Sequence, residues 1–210
     1  MTAIHSVILT IGLFALTFLS PGPNLLVVVQ SSLSYGRIAG IAASLGVALG
    51  DGIYAALGVA GMAAVISQSG ELFAAVKIVG GLYLLWTAWK LLSKPTATSF
   101  DATPTNVVQP PFKVFLQGLM TDLANPQTIL FFASIFAVTL STDTPAWARM
   151  LSWLGIVSAS IIWRIFLSVS FSHSRVRGAY LRGHRAIERL VGVALAGFGA
   201  KLVLDGMAWK

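Results

Sequence analysis

From Ile4 to Gln30 the chain carries no formally charged residue, and its apolar character is interrupted only at Ser20-Pro21-Gly22-Pro23-Asn24. A run of that length exceeds the roughly 20 residues an α-helix needs to cross the bilayer hydrocarbon. Five further runs follow, from about Ile38 to Ser67, Leu72 to Leu92, Val114 to Leu140, Met150 to Phe171 and Leu190 to Ala208. Apolar residues make up 56% of the 210 and charged residues only 10%, too little polar surface for a soluble domain. The expected fold is all-α and integral to the membrane, with about six transmembrane helices, the first and fourth of them broken. The first run has no basic segment before it, unlike a cleaved signal peptide, and is read as part of the mature chain.

One polytopic domain spans residues 1–210. Its first half is 1–92 and its second 112–210, joined by a polar linker, 93–111, rich in Thr, Ser and Pro. The net charge of +7 is concentrated in alternate loops. Arg37 lies in the first, Lys90, Lys94 and Lys113 in the third, and Arg175, Arg177, Arg182, Arg185 and Arg189 in the fifth. The second and fourth carry only Glu71, Asp143 and Arg149. Lys and Arg are retained on the cytoplasmic side, so the odd loops and the linker are expected in the cytoplasm and both termini outside. Trp86 and Trp89 are expected at the inner interface, Trp147 and Trp209 at the outer one. The basic loop is then a topology signal, not a nucleic-acid surface.

The halves echo each other. Leu19-Ser20-Pro21-Gly22-Pro23-Asn24 in the first run has a counterpart in Leu123-Ala124-Asn125-Pro126-Gln127 in the fourth, and Val79-Gly80 with Lys90-Leu91 recurs as Val191-Gly192 with Lys201-Leu202. Three crossings per half is an odd number, so the second half enters the membrane inverted, the inverted-repeat plan of many secondary transporters.

Proline inside a membrane helix removes a backbone hydrogen bond, a gap tolerated only within protein or beside water. At each break a helix restarts, and its free N–H groups and positive dipole end suit a carboxylate. Pro21, Gly22, Pro23 and Asn24, with Asn125, Pro126 and Gln127, are therefore candidate substrate-binding residues, a packing kink being the alternative for either break alone. Asp51 and Arg164 are the ionisable residues expected deepest in the membrane, and intramembrane charges mark transport pathways by default. Asp51 is the candidate proton-coupling acid and Arg164 the candidate carboxylate holder. The alternatives are a static pair fixing helix packing or an Arg164 that snorkels away and never meets Asp51. Asp122, three residues before Asn125 and on about the same helix face, is a second candidate proton carrier. Gly46 with Gly50, and Gly36 with Gly40, have the spacing that lets membrane helices approach closely. Lys201 can reach Asp205 one turn on. The chain has no cysteine, and His5, His173 and His184 have no metal-ligand spacing, so no metal site and no cofactor is expected.

Taken together, Ser20-Pro21-Gly22-Pro23, Gly50-Asp51, Gly80-Gly81-Leu82-Tyr83-Leu84, and Gly118 with Asn125-Pro126 resemble the LysE/RhtB amino-acid exporters over essentially the whole length. The stretch Gly118 to Pro126 looks closest to the threonine-exporting members. The chain departs from the family where Gln127 stands in place of a frequent Lys and Asp122 in place of a frequent Asn. The resemblance implies a bacterial inner-membrane exporter of a small amino acid such as threonine or homoserine, driven by proton antiport and not an enzyme. Its partners would be that amino acid, protons and the lipid bilayer, with no nucleic acid; oligomeric state stays open, a homo-oligomer included. The competing readings are a cation or other small-solute transporter and a membrane-embedded enzyme.

Overall fold

A computed structural model describes residues 2–18, 22–68, 70–93, 109–139, 144–171 and 173–208. The described residues form eight helices and no strand. They are α1 (Ala3–Thr17), α2 (Pro23–Tyr35), α3 (Arg37–Gln68), α4 (Gly70–Ser93), α5 (Pro111–Leu123), α6 (Pro126–Thr139), α7 (Ala146–Ser170) and α8 (Ser174–Met207). Segments of α3, α4, α7 and α8 are long and apolar enough to span a bilayer. At 1.5 Å per residue α1 and α6 reach only about 22 Å, short of the roughly 30 Å hydrocarbon core, so each needs its neighbour to complete a crossing.

Helix direction follows from which residues meet. Along α7, Gly155 faces Ile11, Trp163 stacks on Phe18 with centroids 5.4 Å apart, and the Ser168 carbonyl accepts from Ser32 Oγ at 2.7 Å. The α1 and α2 helices therefore run beside α7 in its own direction, as one interrupted crossing. Along α3, Ala43 faces Gly118, Gly50 faces Asp122, and Gly58 faces Phe136, so α5 and α6 form a second interrupted crossing parallel to α3. The α3 and α7 helices are antiparallel, because Ser44 Oγ bonds the Arg164 carbonyl at 2.9 Å while Trp153 Nε1 bonds the Gly52 carbonyl at 2.9 Å. The α4 and α8 helices are antiparallel too, with Ala88 against Gly192 and Ala74 against Gly206. The two interrupted crossings thus point in opposite directions, as an inverted repeat requires. Exchange of halves maps contacts onto contacts: α1 packs on α7 as α5 packs on α3, and α2 meets α5 as α1 meets α6. The exchange is incomplete, since α4 packs on α6 with no comparable contact between α8 and α2 among the described residues.

Close approach rests on small residues. A Cβ at Gly46 would collide with the Phe115 carbonyl, and one at Gly118 would lie 3.0 Å from the Ala43 carbonyl carbon, so α3 and α5 touch backbone to backbone. The expected Gly36 and Gly40 pair is corrected: Gly36 has φ 86° and ends α2, and only Gly40 is a packing position, against Ser32 and Ser168. The core between the halves is aromatic. Phe14 lies 4.9 Å from Phe18 and 5.6 Å from Phe132, which stacks on Phe136 and Tyr54. Ile38, Ile162, Val193 and Leu204 stay exposed, as apolar residues facing lipid do.

The sixth crossing lies where expected, its membrane-compatible span running over Arg185–Met207, but the fifth loop expected before it is helical. The apolar run begins near Leu190, whereas α8 begins at Ser174 and is about 51 Å long. Arginine is a strong helix former, so Arg182, Arg185 and Arg189 end the hydrocarbon-compatible stretch without ending the helix. His184 correspondingly lies inside a helix. Most of the linker, Lys94, Asp143 and Trp209 lie outside the described residues.

Candidate functional site

Each interrupted crossing restarts at a residue with no N–H to lose. Pro23 opens α2 and Pro126 opens α6. The chain enters α2 through Gly22, which has no side chain to cap it, and the first internal hydrogen bond runs from Leu26 N–H to the Gly22 carbonyl at 3.0 Å. The N–H groups of Asn24 and Leu25 therefore have no acceptor within the helix. The other break is capped from within: Asn125 Oδ1 accepts from Gln127 N–H at 3.0 Å and its carbonyl accepts from Thr128 N–H at 3.0 Å. Tyr83 donates its hydroxyl to the Gln127 carbonyl at 3.1 Å, and Tyr54 donates to the Leu123 carbonyl at 2.5 Å, closing the end of α5. Pro21 lies outside the described residues.

The breaks meet at Asp122. Asn24 Nδ2 donates to Asp122 Oδ1 at 2.5 Å, and Thr128 Oγ donates to the same oxygen at 3.0 Å. Asp122 is fully buried, and its Oδ2 has no hydrogen-bond partner among the described residues. Its seat exists because residue 50 is glycine: a Cβ there would come 2.9 Å from both Cβ and Cγ of Asp122. The expectation that Asp122 and Asn125 share a helix face is corrected, since α5 ends at Leu123 and Asn125 belongs to the start of α6. The chain turns between them, and the helical spacing rule stops applying.

On the facing helices, Arg164 grips Asp51. Its Nη2 lies 2.7 Å and its Nε 3.1 Å from Asp51 Oδ2, and Ser160 Oγ donates to the same oxygen at 2.6 Å. Asp51 is 2% and Arg164 6% exposed, so this is a buried ion pair; the snorkelling alternative for Arg164 is excluded in this conformation. All three donors converge on Oδ2, and among the described residues Asp51 Oδ1 takes no hydrogen bond.

A cavity of about 110 Å³ lies between the breaks and the ion pair, several times the space one water needs. Gly22, Pro23, Asn24, Asn125 and Gln127 line it together with Asp51 and Arg164. Asp122 is not on the wall but is joined to it through Asn24 and Thr128. Aromatic side chains, Phe14, Phe18, Phe131, Phe132 and Trp163, complete much of the surface. Asn24 Oδ1 and Trp163 Nε1, both of lining residues, lack partners among the described residues. The half-buried indole of Trp153 has a carbonyl partner, which marks Trp163 as the exception. The site thus offers a guanidinium and an indole N–H as donors, and a carboxylate and amide oxygen as acceptors. That is the complement of a zwitterion. Sequence reading missed Ser160, Thr128 and Trp163; the one available signal was that Ser160 precedes Arg164 by a helical turn.

The sequence matches the LysE type translocators over residues 15–206. The chain belongs to the LysE type translocator family. The resemblance expected from its motifs is therefore correct, and the translocator is a multi-pass membrane protein. It is 49% identical over 210 residues to the uncharacterized membrane protein YahN of Escherichia coli K12, covering 100% of this chain and 94% of that one. It is 28% identical to the threonine efflux protein of Escherichia coli K12, over 89% of this chain and 92% of the relative. It is 32% identical to the leucine efflux protein of Salmonella typhimurium, over 88% of each. No solved structure matches the chain at a significant level.

Proposed function

We propose that this LysE type translocator exports a small amino acid, such as threonine or homoserine, across the bacterial cytoplasmic membrane in exchange for protons. The observation that carries the reading is charge count in one buried site: two carboxyl groups, Asp51 and Asp122, stand around a cavity with a single guanidinium, Arg164. A proton or a substrate ammonium balances the excess acid, and the two compete for it. Relatives named threonine and leucine efflux proteins support the solute class and the direction.

In the proposed cycle the substrate carboxylate takes Arg164, aided by Trp163 Nε1 and the N–H groups at the start of α2. Asp51, released from Arg164, takes a proton or the substrate amine. Asp122, whose Oδ2 has room for a proton, is the second coupling acid, and Asn24 relays its state to the cavity wall. Asn125, Pro126 and Gln127 hold the second break open from the other half. A cation carrier built on the same two acids is disfavoured, because Arg164 lines the same cavity.

We also place both termini in the periplasm and the 93–111 linker in the cytoplasm. Exposed Arg182, Arg185 and Arg189, in the first half of α8, lie at the membrane face near the end of α4, where Lys90 stands over the Trp86 ring at 3.8 Å. A basic face with exposed tryptophans fits the cytoplasmic interface.

Uptake into inside-out vesicles, with and without an imposed proton gradient, tests the proposal across threonine, homoserine, leucine and lysine. Gradient-dependent accumulation of threonine or homoserine is expected. Well-folded protein that accumulates none of the four would sink it.

A further inference from the structure

The charged residues of the cavity wall, Asp51 and Arg164, belong to α3 and α7. Of the other helices that line the cavity, α1, α2, α4 and α6 each pack on α3 or α7, and α8 alone has no comparable packing on either among the described residues. It lies instead against α4 and α6. What α8 brings to the wall, Val191 and Leu195, therefore stands across the cavity from the ion pair. The two are a turn apart on one face, and both are buried. The polar residues that α4 adds to the wall, Tyr83 and Thr87, bond to each other, and Tyr83 also donates to the Gln127 carbonyl at 3.1 Å. With Phe131 and Phe132 of α6, Val191 and Leu195 make this end of the cavity apolar.

The α8 helix is seated tightly on α4. A Cβ at Gly199 would stand 2.8 Å from the Gly81 carbonyl oxygen, one at Gly81 2.8 Å from the Gly199 carbonyl oxygen, and one at Gly192 3.3 Å from the Ala88 carbonyl oxygen. The two helices thus touch backbone to backbone over about two turns. With the helix held there, the room at the apolar end is set by the side chains at 191 and 195.

We infer that Val191 and Leu195 close the subsite for the substrate's side chain and are specificity-determining, admitting neutral side chains of about threonine's size. The inference rests on amino-acid export as proposed above. A substrate whose carboxylate and ammonium are held at Arg164 and Asp51 directs its side chain across the cavity to α8. Threonine presents a methyl group there. Leucine is one carbon longer and presses on the wall, and lysine brings an ammonium against aliphatic side chains that offer it no acceptor.

The test is uptake of threonine, leucine and lysine into inside-out vesicles, with and without an imposed proton gradient, read as ratios so that the amount of protein cancels. The wild-type protein favours threonine over both of the others. Leu195→Ala raises the leucine-to-threonine ratio about tenfold, the scale of one methylene in an apolar pocket. Val191→Ala shifts it in the same direction and serves if Leu195→Ala does not fold. Leu204→Ala, on the exposed side of the same helix, leaves the ratio as in wild type. An unchanged ratio in folded Leu195→Ala and Val191→Ala overturns the inference, as does an equal rise in Leu204→Ala. Loss of all transport in both folded wall variants also overturns it, because a wider end wall leaves the charged end intact. A wild-type protein that carries leucine or lysine as readily as threonine overturns it too, while leaving export standing. Wild-type protein that carries no amino acid at all defeats the export reading, and the role of the α8 wall with it.

Discussion

Replacing Asp51 by asparagine would strand a buried cation. Asp51 Oδ2 receives Arg164 Nη2 at 2.7 Å, Arg164 Nε at 3.1 Å and Ser160 Oγ at 2.6 Å. Asparagine can keep an acceptor oxygen there, but not the charge that offsets a guanidinium 6% exposed. Removing one partner of such a pair costs about 3–5 kcal/mol. For a chain of this size each kcal/mol moves the midpoint by about 2–4 °C, so Asp51→Asn is expected to melt on the order of 10 °C below wild type. Adding Arg164→Met removes the stranded cation, and a buried pair replaced by uncharged groups is often close to neutral. The double variant should melt above either single one, although transport is lost in all three. Intrinsic fluorescence of the six tryptophans during heating in detergent micelles gives the midpoints. A midpoint for Asp51→Asn within about 2 °C of wild type, or a double variant below both singles, would refute the reasoning, because Arg164 would then be reaching water or headgroups instead.

Gly50→Ala should destabilise the protein by about 1–3 kcal/mol and weaken proton coupling, since its Cβ displaces Asp122. Gly22→Ala meets only Gln127 Oε1 at 4.0 Å and should leave the melting midpoint within about 2 °C of wild type, which thermal unfolding of the two side by side checks. Trp163→Phe keeps the ring that stacks on Phe18 and removes the unpartnered N–H, so the apparent KM for substrate should rise several-fold with the fold intact. Vesicle uptake at varied substrate concentration measures it.

Much of the architecture was legible because a membrane restricts the chain to helices and punctuates them with charge. The two breaks could be read from Pro21-Gly22-Pro23 and Asn125-Pro126, since proline cannot continue the hydrogen-bond ladder. Asp51 and Arg164 stood out because few ionisable residues lie that deep. Their direct pairing was one option among three, and only the antiparallel packing of α3 on α7 brings the side chains together. The helical fifth loop was not legible for a physical reason: hydropathy marks where hydrocarbon ends, while helix propensity marks where the helix ends, and arginine separates the two. Gly36 was misread because a four-residue spacing of glycines is shared by packing seams and helix ends. The polar partners stayed hidden for a different reason. Ser160, Thr128 and Trp163 are common residues in membrane helices, and only the surroundings say which of them lack or supply a hydrogen bond.

The central claim is that a proton and an amino acid compete for one excess negative charge, with Asp122 as a coupling acid. Proton movement counted with a pH-sensitive dye in liposomes holding the purified protein, as threonine runs down its own gradient, tests it directly. Wild-type protein should move protons against the threonine flow, and Asp122→Asn should carry threonine with no accompanying proton movement. An Asp122→Asn protein that moves protons per threonine as the wild type does would contradict the account.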